Sequence, residues 1–196
     1  PAPPHEHRST MADPVDRKKR IAECGKACYV DQPSASRFPL AASMLDHEDI
    51  TAMVEVIMSG RITYGPLVKK FEQEFAAFLG APFAVMVNSG SSANLLAFAA
   101  AVNPGRAQRL HKGDHVVVPA VCWSTSVAPI LQMGCVPVYV DVQPGDTNTN
   151  LVCLKELLQA DPKIKGMVAV HVIGACCPMG ELMALVKQHE LILIED

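Results

Sequence analysis

The chain has 196 residues, 49% hydrophobic and 19% charged, enough apolar material for one packed domain with or without an appendage. Its formal net charge of -3 leaves no dominant basic stripe for a phosphate backbone and argues against a nucleic-acid partner. No apolar run reaches the ~20 residues of a membrane span, and seven cysteines at irregular spacing are no disulfide framework, so reduced cysteines, no membrane partner and a cytoplasmic location are expected.

Residues 1–36 are rich in Pro, Ala and charge and read as a flexible leader, with one short helix over Val15 to Ala27. The run Arg17-Lys18-Lys19-Arg20 reads as a solvated face. His5 with His7, and Cys24 with Cys28, lack the further ligands of a zinc site, so no metal is expected. Residues 37–196 read as the globular part. Asp46 to Met58 puts Ile50, Met53, Val54 and Ile57 at helical spacing, with Gly60 as the stop. After a loop over 61–66, a second amphipathic helix carries Val68, Phe71, Phe75 and Phe78, with Pro66 in its first turn and Gly80 at its end.

The remainder alternates. Strands are predicted at Phe83 to Val87, His115 to Pro119, Val136 to Val140, Met167 to Ile173 and Leu191 to Ile194. Helices are predicted at Ser91 to Val102, Thr125 to Met133, Leu151 to Gln159 and Gly180 to His189, with Pro129 weighing against the second. Strands that are apolar throughout and alternate with helices imply an α/β fold, a mostly parallel sheet flanked by helices. Ligands bind such sheets at the carboxyl ends of the strands. That rule singles out residues 88–92, 120–123, Asp141, His171 to Gly174, and Glu195-Asp196.

Asn88-Ser89-Gly90-Ser91-Ser92-Ala93-Asn94 is a small-residue turn entering a helix. Gly90 lets backbone approach a ligand, and free N–H groups at a positive helix end, with the Ser91 and Ser92 hydroxyls, suit a phosphate. A serine N-cap without a ligand accounts for the same residues. The turn is neither G-x-G-x-x-G nor G-x-x-x-x-G-K-[ST], which disfavours nicotinamide dinucleotides and P-loop nucleotides. Trp123, the only tryptophan, falls just past a strand, where it can stack on a planar ring or simply pack. Asp196 follows an apolar strand. An acid there suits a protonated pyridine nitrogen, or is an exposed strand-end acid. His171 can touch a ligand or sit satisfied in the core. Asp141 reads as a strand cap, and Cys176-Cys177 has no evident chemistry.

In this order the features resemble the DegT/DnrJ/EryC1/StrS sugar aminotransferase family. The likeness is carried by Ser59 to Pro66, by Phe71-Glu72 with Phe75, by Val87 to Leu95, and by Lys112-Gly113-Asp114 with Val118-Pro119-Ala120. It continues through Trp123-Ser124-Thr125, Pro137 to Val142, His171-Val172-Ile173-Gly174 and Leu193-Ile194-Glu195-Asp196, so it runs from about Phe38 to residue 196. The serine-rich turn and the Pro119 to Thr125 stretch are similar to the lipopolysaccharide-sugar branch. That branch includes 3-dehydrases of CDP-4-keto-6-deoxyglucose, in which a histidine replaces the Schiff-base lysine.

The resemblance implies the aspartate aminotransferase-like (fold type I) transferase fold, pyridoxal 5'-phosphate (PLP) as cofactor, and a homodimer. It implies the cofactor phosphate on Gly90, Ser91 and Ser92, the ring on Trp123, and the ring nitrogen on a catalytic Asp196. Thr63, Tyr64 and His171 are the implied substrate contacts. The implied substrate is a nucleotide-linked 4-keto-6-deoxy sugar of polysaccharide or deoxysugar biosynthesis. It would be aminated from a donor such as glutamate, or dehydrated. Family members are expected to be markedly longer. The chain therefore reads as an incomplete large domain, without the Schiff-base lysine and without the small C-terminal domain. A non-catalytic remnant or partner-binding module is the alternative reading.

Overall fold

A computed structural model describes residues 14–28 and 45–196. His5, His7 and the rest of the expected leader apart from its helix lie outside the described residues, as do Phe38 and the side chains of Arg17 and Cys28. The chain divides into two compact units, residues 1–86 and 87–196.

Among the described residues the first unit holds three helices, α1 (Pro14–Cys28), α2 (His47–Met58) and α3 (Pro66–Leu79), where helical spacing predicts them. The start of α2 is fixed by a capping box. The Asp46 carboxylate accepts the Glu48 and Asp49 N–H groups, and the Asp49 carboxylate accepts the Asp46 N–H. Those bonds, the one from Asp49 first, hold the Asp46 carboxyl below its usual range. Helix α3 opens on Pro66 and ends at Gly80, whose φ of +65° is left-handed and favours glycine. Phe71 and Phe75 stack with ring centroids 5.5 Å apart. Burial is thin, since α2 buries no residue and α3 only Ala76.

The strand expected at Phe83 to Val87 does not form. A strand needs a hydrogen-bonded neighbour, and this run has none among the described residues. Instead the Met86 N–H donates to the Glu72 carboxylate at 3.0 Å, and Phe83, Val85 and Met86 are exposed.

The second unit runs α4 (Gly90–Ala101), β1 (His115–Pro119), α5 (Ser124–Gln132), β2 (Val136–Val140), α6 (Leu151–Ala160), β3 (Ile164–Ala169), a 3₁₀ turn (Val172–Gly174), α7 (Met179–Gln188) and β4 (Ile192–Glu195). Its four strands are all parallel, in the order β2-β1-β3-β4. The expected five strands are thus four, and the expected parallel α/β sheet stands. Strand β3 ends at Ala169 rather than at residue 173, because Ile173 turns the chain with a φ of +51°.

Alternation along the strands sorts the core into two walls. Val117, Val140, Met167, Ala169 and Leu193 pack with Leu154, Leu158, Leu182 and Leu185 of α6 and α7. Val116, Val118, Val168, Ile192 and Ile194 pack with Phe98 of α4 and Ile130 of α5. Central β1 is walled on both sides, which is why it reads as an unbroken Val-Val-Val run. At the amino end of the sheet His115 and Asp161 pair at 2.5 Å. That bond, with the Lys163 N–H, holds the Asp161 carboxyl below its usual range.

Candidate functional site

The serine-rich turn becomes the first turn of α4. Ser89 is the N-cap, and its hydroxyl oxygen accepts the Ser92 N–H at 3.2 Å. The serine-cap reading is therefore realised, and it engages the Ser92 amide. The Gly90 and Ser91 N–H groups are the first of the helix and have no intrahelical partner. Both residues are exposed, and a Cβ built on Gly90 would meet nothing within 4 Å. An open turn at the positive helix end can take an anion.

The carboxyl end of β4 supplies the acid. The Asp196 N–H donates to the Ala169 carbonyl and its own carbonyl accepts the His171 N–H, each at 2.8 Å, so the residue stays in the ladder. Continuing the alternation of Ile192 and Ile194, its side chain faces α4 and α5. There Oδ2 accepts from Asn94 Nδ2 at 2.9 Å and from the Ser126 hydroxyl. Asn94 and Ser126 are 7% and 1% exposed, whereas Asp196 is open to solvent. Among the described residues Oδ1 has no hydrogen-bond partner.

Asn94 lies one helical turn after Gly90, and Ser126 one turn after Trp123, so the first turns of α4 and α5 meet at one carboxylate. Trp123 is the residue just before α5 and its side chain is 76% exposed. Cys122 lies beside the acid, and burial first, then the Asp196 charge, push its thiol above the usual range.

Pro129 has a part in this. It sits inside α5 and has no N–H to give the Thr125 carbonyl four residues back. Asn94 Nδ2 reaches that carbonyl at 3.4 Å as well as the acid. One amide thus ties α4 to α5 and to the end of β4.

His171 sits at the same rim on the other face. Its Nδ1 accepts the Cys177 N–H at 3.1 Å, which leaves an Nε2 proton to donate to Glu195 at 3.3 Å. Alternation sends Glu195 toward α6 and α7, away from Asp196. Between His171 and Gly174, Ile173 is 95% exposed and holds a left-handed conformation costly for a β-branched residue. Thr63 and Tyr64 belong to the first unit, on the loop between α2 and α3. The Tyr64 hydroxyl donates to Glu72 at 3.0 Å, which raises its phenol above the usual range.

The structure therefore links the starts of α4 and α5, and with them Gly90, Ser91 and Trp123, to Asp196, and leaves His171 on the opposite face. Sequence reasoning missed Asn94 and Ser126 as partners of the acid. A signal existed: Asn94, Phe98 and Ala101, spaced by four and three, are the buried stripe of α4. A polar residue on that stripe needs a partner.

A parallel sheet carrying an open helix start, an exposed indole and an anchored acid at its carboxyl rim defines an aspartate aminotransferase-like α/β domain. The chain belongs to the DegT/DnrJ/EryC1/StrS aminotransferase family, which matches residues 43–196. A dTDP-4-dehydro-2,6-dideoxy-D-glucose 3-dehydratase of Saccharopolyspora spinosa is 36% identical over 188 residues, covering 92% of this chain and 40% of the relative. A crystal structure of a GDP-4-keto-6-deoxymannose-3-dehydratase variant with bound GDP-perosamine superposes with a TM-score of 0.74 at 36% identity, over 82% of this chain and 41% of that one. The same enzyme with a trapped PLP-glutamate geminal diamine gives 0.73 at 35%, over 81% and 40%. The chain spans about 40% of the length of the relatives it matches.

Proposed function

We propose that this chain forms a pyridoxal 5'-phosphate site belonging to an enzyme that acts on a nucleotide-linked 4-keto-6-deoxy sugar. The enzyme either aminates that sugar from a donor such as glutamate or removes a hydroxyl from it, in polysaccharide or deoxysugar biosynthesis. The observation that carries the reading is the meeting of two helix starts at Asp196. The donor set fits the cofactor. Gly90 and Ser91 offer free N–H groups, and Ser91 and Ser92 offer hydroxyls, to its phosphate. Trp123 offers an exposed flat face to the ring. Asp196 offers Oδ1 to the ring nitrogen.

When bound, pyridoxal phosphate supplies an electron sink for bond-making next to a carbonyl or amine carbon. The protein's part is electrostatic and positional. Asp196 would set its carboxylate beside the ring nitrogen and favour a proton there. Trp123 would hold the ring plane, and the start of α4 would anchor the phosphate. We assign Thr63 and Tyr64 to the substrate, and a homodimer to the working assembly; His171, bonded to Glu195 and Cys177 on the other face of the sheet, is not assigned to it. Residues 37–196 are then part of a larger transferase domain. The sugar class is supported by the relatives named above, whose substrates and ligands are nucleotide-linked deoxy sugars.

Pyridoxal phosphate should raise the melting temperature of the chain and show a bound-state absorbance change. Asp196→Ala and Ser91→Ala should each weaken binding about tenfold, as expected when a charged or phosphate hydrogen bond is removed. Unchanged affinity in both variants would sink the cofactor assignment. With cofactor present, a nucleotide-linked 4-keto-6-deoxy sugar should stabilise the chain further, and more than the free nucleotide does. No response to either removes the sugar assignment.

A further inference from the structure

We infer that Asn94 and Ser126 are positioning residues for the ring nitrogen of the cofactor: by binding one oxygen of the Asp196 carboxylate, they aim the other. The inference rests on the cofactor reading above and assigns roles to two residues outside it.

A carboxylate at a strand end rotates about its last bond and presents either oxygen. Here two donors converge on Oδ2, one from α4 and one from α5, and none of the described residues engages Oδ1. Two bonds to one oxygen fix the rotation and leave a single, directed acceptor. The two donors are nearly fully buried, so the bonded oxygen is held inward, between α4 and α5. Their own positions are set independently of the acid. Asn94 Nδ2 is also held by the Thr125 carbonyl, which Pro129 leaves without its helical donor. Ser126 sits in the first turn of α5, its N–H bonded to the Trp123 carbonyl at 2.9 Å. A helical serine ordinarily satisfies its hydroxyl on a carbonyl of its own helix. This one instead donates across to the end of a strand. Because Ser126 and Trp123 share one turn, the group that fixes the acid moves with the indole. The ring plane and the ring-nitrogen partner are thereby set by one rigid element.

The test uses the full chain and the quenching of Trp123 fluorescence, which reports ligand at this rim without ambiguity because it is the only tryptophan. Pyridoxal phosphate is titrated into the unaltered chain, Asp196→Ala, Ser126→Ala, Asn94→Ala and Ser126→Ala combined with Asp196→Ala. Ser126→Ala and Asn94→Ala should each weaken binding by several-fold to about tenfold. The double variant should bind no worse than Asp196→Ala alone, because the hydroxyl acts only through the acid. Ser126→Ala removes a single oxygen and keeps the test open if Asn94→Ala fails to fold.

The second ligand is the cofactor analogue with a C–H group in place of the ring nitrogen. Ser126→Ala and the unaltered chain should bind it equally, since it offers Asp196 nothing to hold. A loss that persists with this analogue, or that adds to that of Asp196→Ala, means the two residues merely shape the pocket and overturns the inference. If Asp196→Ala weakens cofactor binding but Ser126→Ala and Asn94→Ala do not, the positioning role alone is overturned. If the unaltered chain shows no quenching, the cofactor reading itself fails and this inference with it; if Asp196→Ala alone has no effect, the positioning inference is overturned.

Discussion

The two units use apolar side chains in opposite ways. In residues 87–196 the strand residues Val116, Val117 and Val118 lie at 0–1% exposure between two helical walls. In residues 1–86, Met53, Ile57, Phe71, Phe75 and Phe78 follow a helical apolar pattern just as faithfully, yet stay 44–84% exposed. Ala76 is the only buried hydrophobic residue among those described there. An amphipathic pattern thus specifies a face, and only a second surface turns that face into a core. The candidate cofactor groups belong to the unit that carries its own core, where buried partners can hold an acid still.

The largest expected effect tests that contrast directly. Ile130→Ala or Leu154→Ala, each at a fully buried position, should cost about 2–5 kcal/mol in urea unfolding. Phe78→Ala, at an 84% exposed position, should change stability by no more than about 0.5 kcal/mol. Similar losses at the two kinds of site would break the comparison. Next in size, Asp196→Ala without any ligand should cost about 1–3 kcal/mol, since it strands the buried Asn94 and Ser126 donors. In the first unit, Asp46→Ala removes the capping box of α2 and should lower its helical circular dichroism.

The smallest effect is expected from pH, and it sharpens the comparison by acting in both units. The Asp46 and Asp161 carboxyls are held below their usual range by folding. A depressed folded pKa stabilises the protein above the unfolded value of about 3.9, and that stabilisation disappears as pH falls through the folded value. Melting temperature should therefore drop below about pH 4, and Asp161→Asn should flatten the second unit's share of that drop. An unchanged acid profile in that variant would remove His115 and Asp161 from the account.

Much of the second unit was legible because its signals are local. The runs at 115–119 and 136–140 give β1 and β2 to the residue, β1 as a buried valine run and β2, an edge strand only partly buried, through its β-branched residues. Phe83 to Val87 looks the same in one dimension and fails because pairing is a property of neighbours, which no window of sequence contains. Met167 to Ile173 overruns because the left-handed turn at Ile173 is carried by a residue that usually favours strands. At the site, Gly90, Ser91, Trp123 and Asp196 were visible as an ordered series after strands. Asn94 and Ser126 were not, because serine and asparagine near helix starts read as caps. Pro129 argues against a helix in one dimension, whereas its consequence in three is a carbonyl that takes another donor.

Strand β4 gives two adjacent acids separate addresses. Glu195 reports to His171 on one face of the sheet, and Asp196 to Asn94 and Ser126 on the other. Side-chain direction reverses at every step of a strand, so a slip of β4 by one residue would exchange them. The site would then receive a longer acid, and the histidine a shorter one, with every atom of the machinery still encoded. This corner of the protein is accordingly intolerant of any change in length.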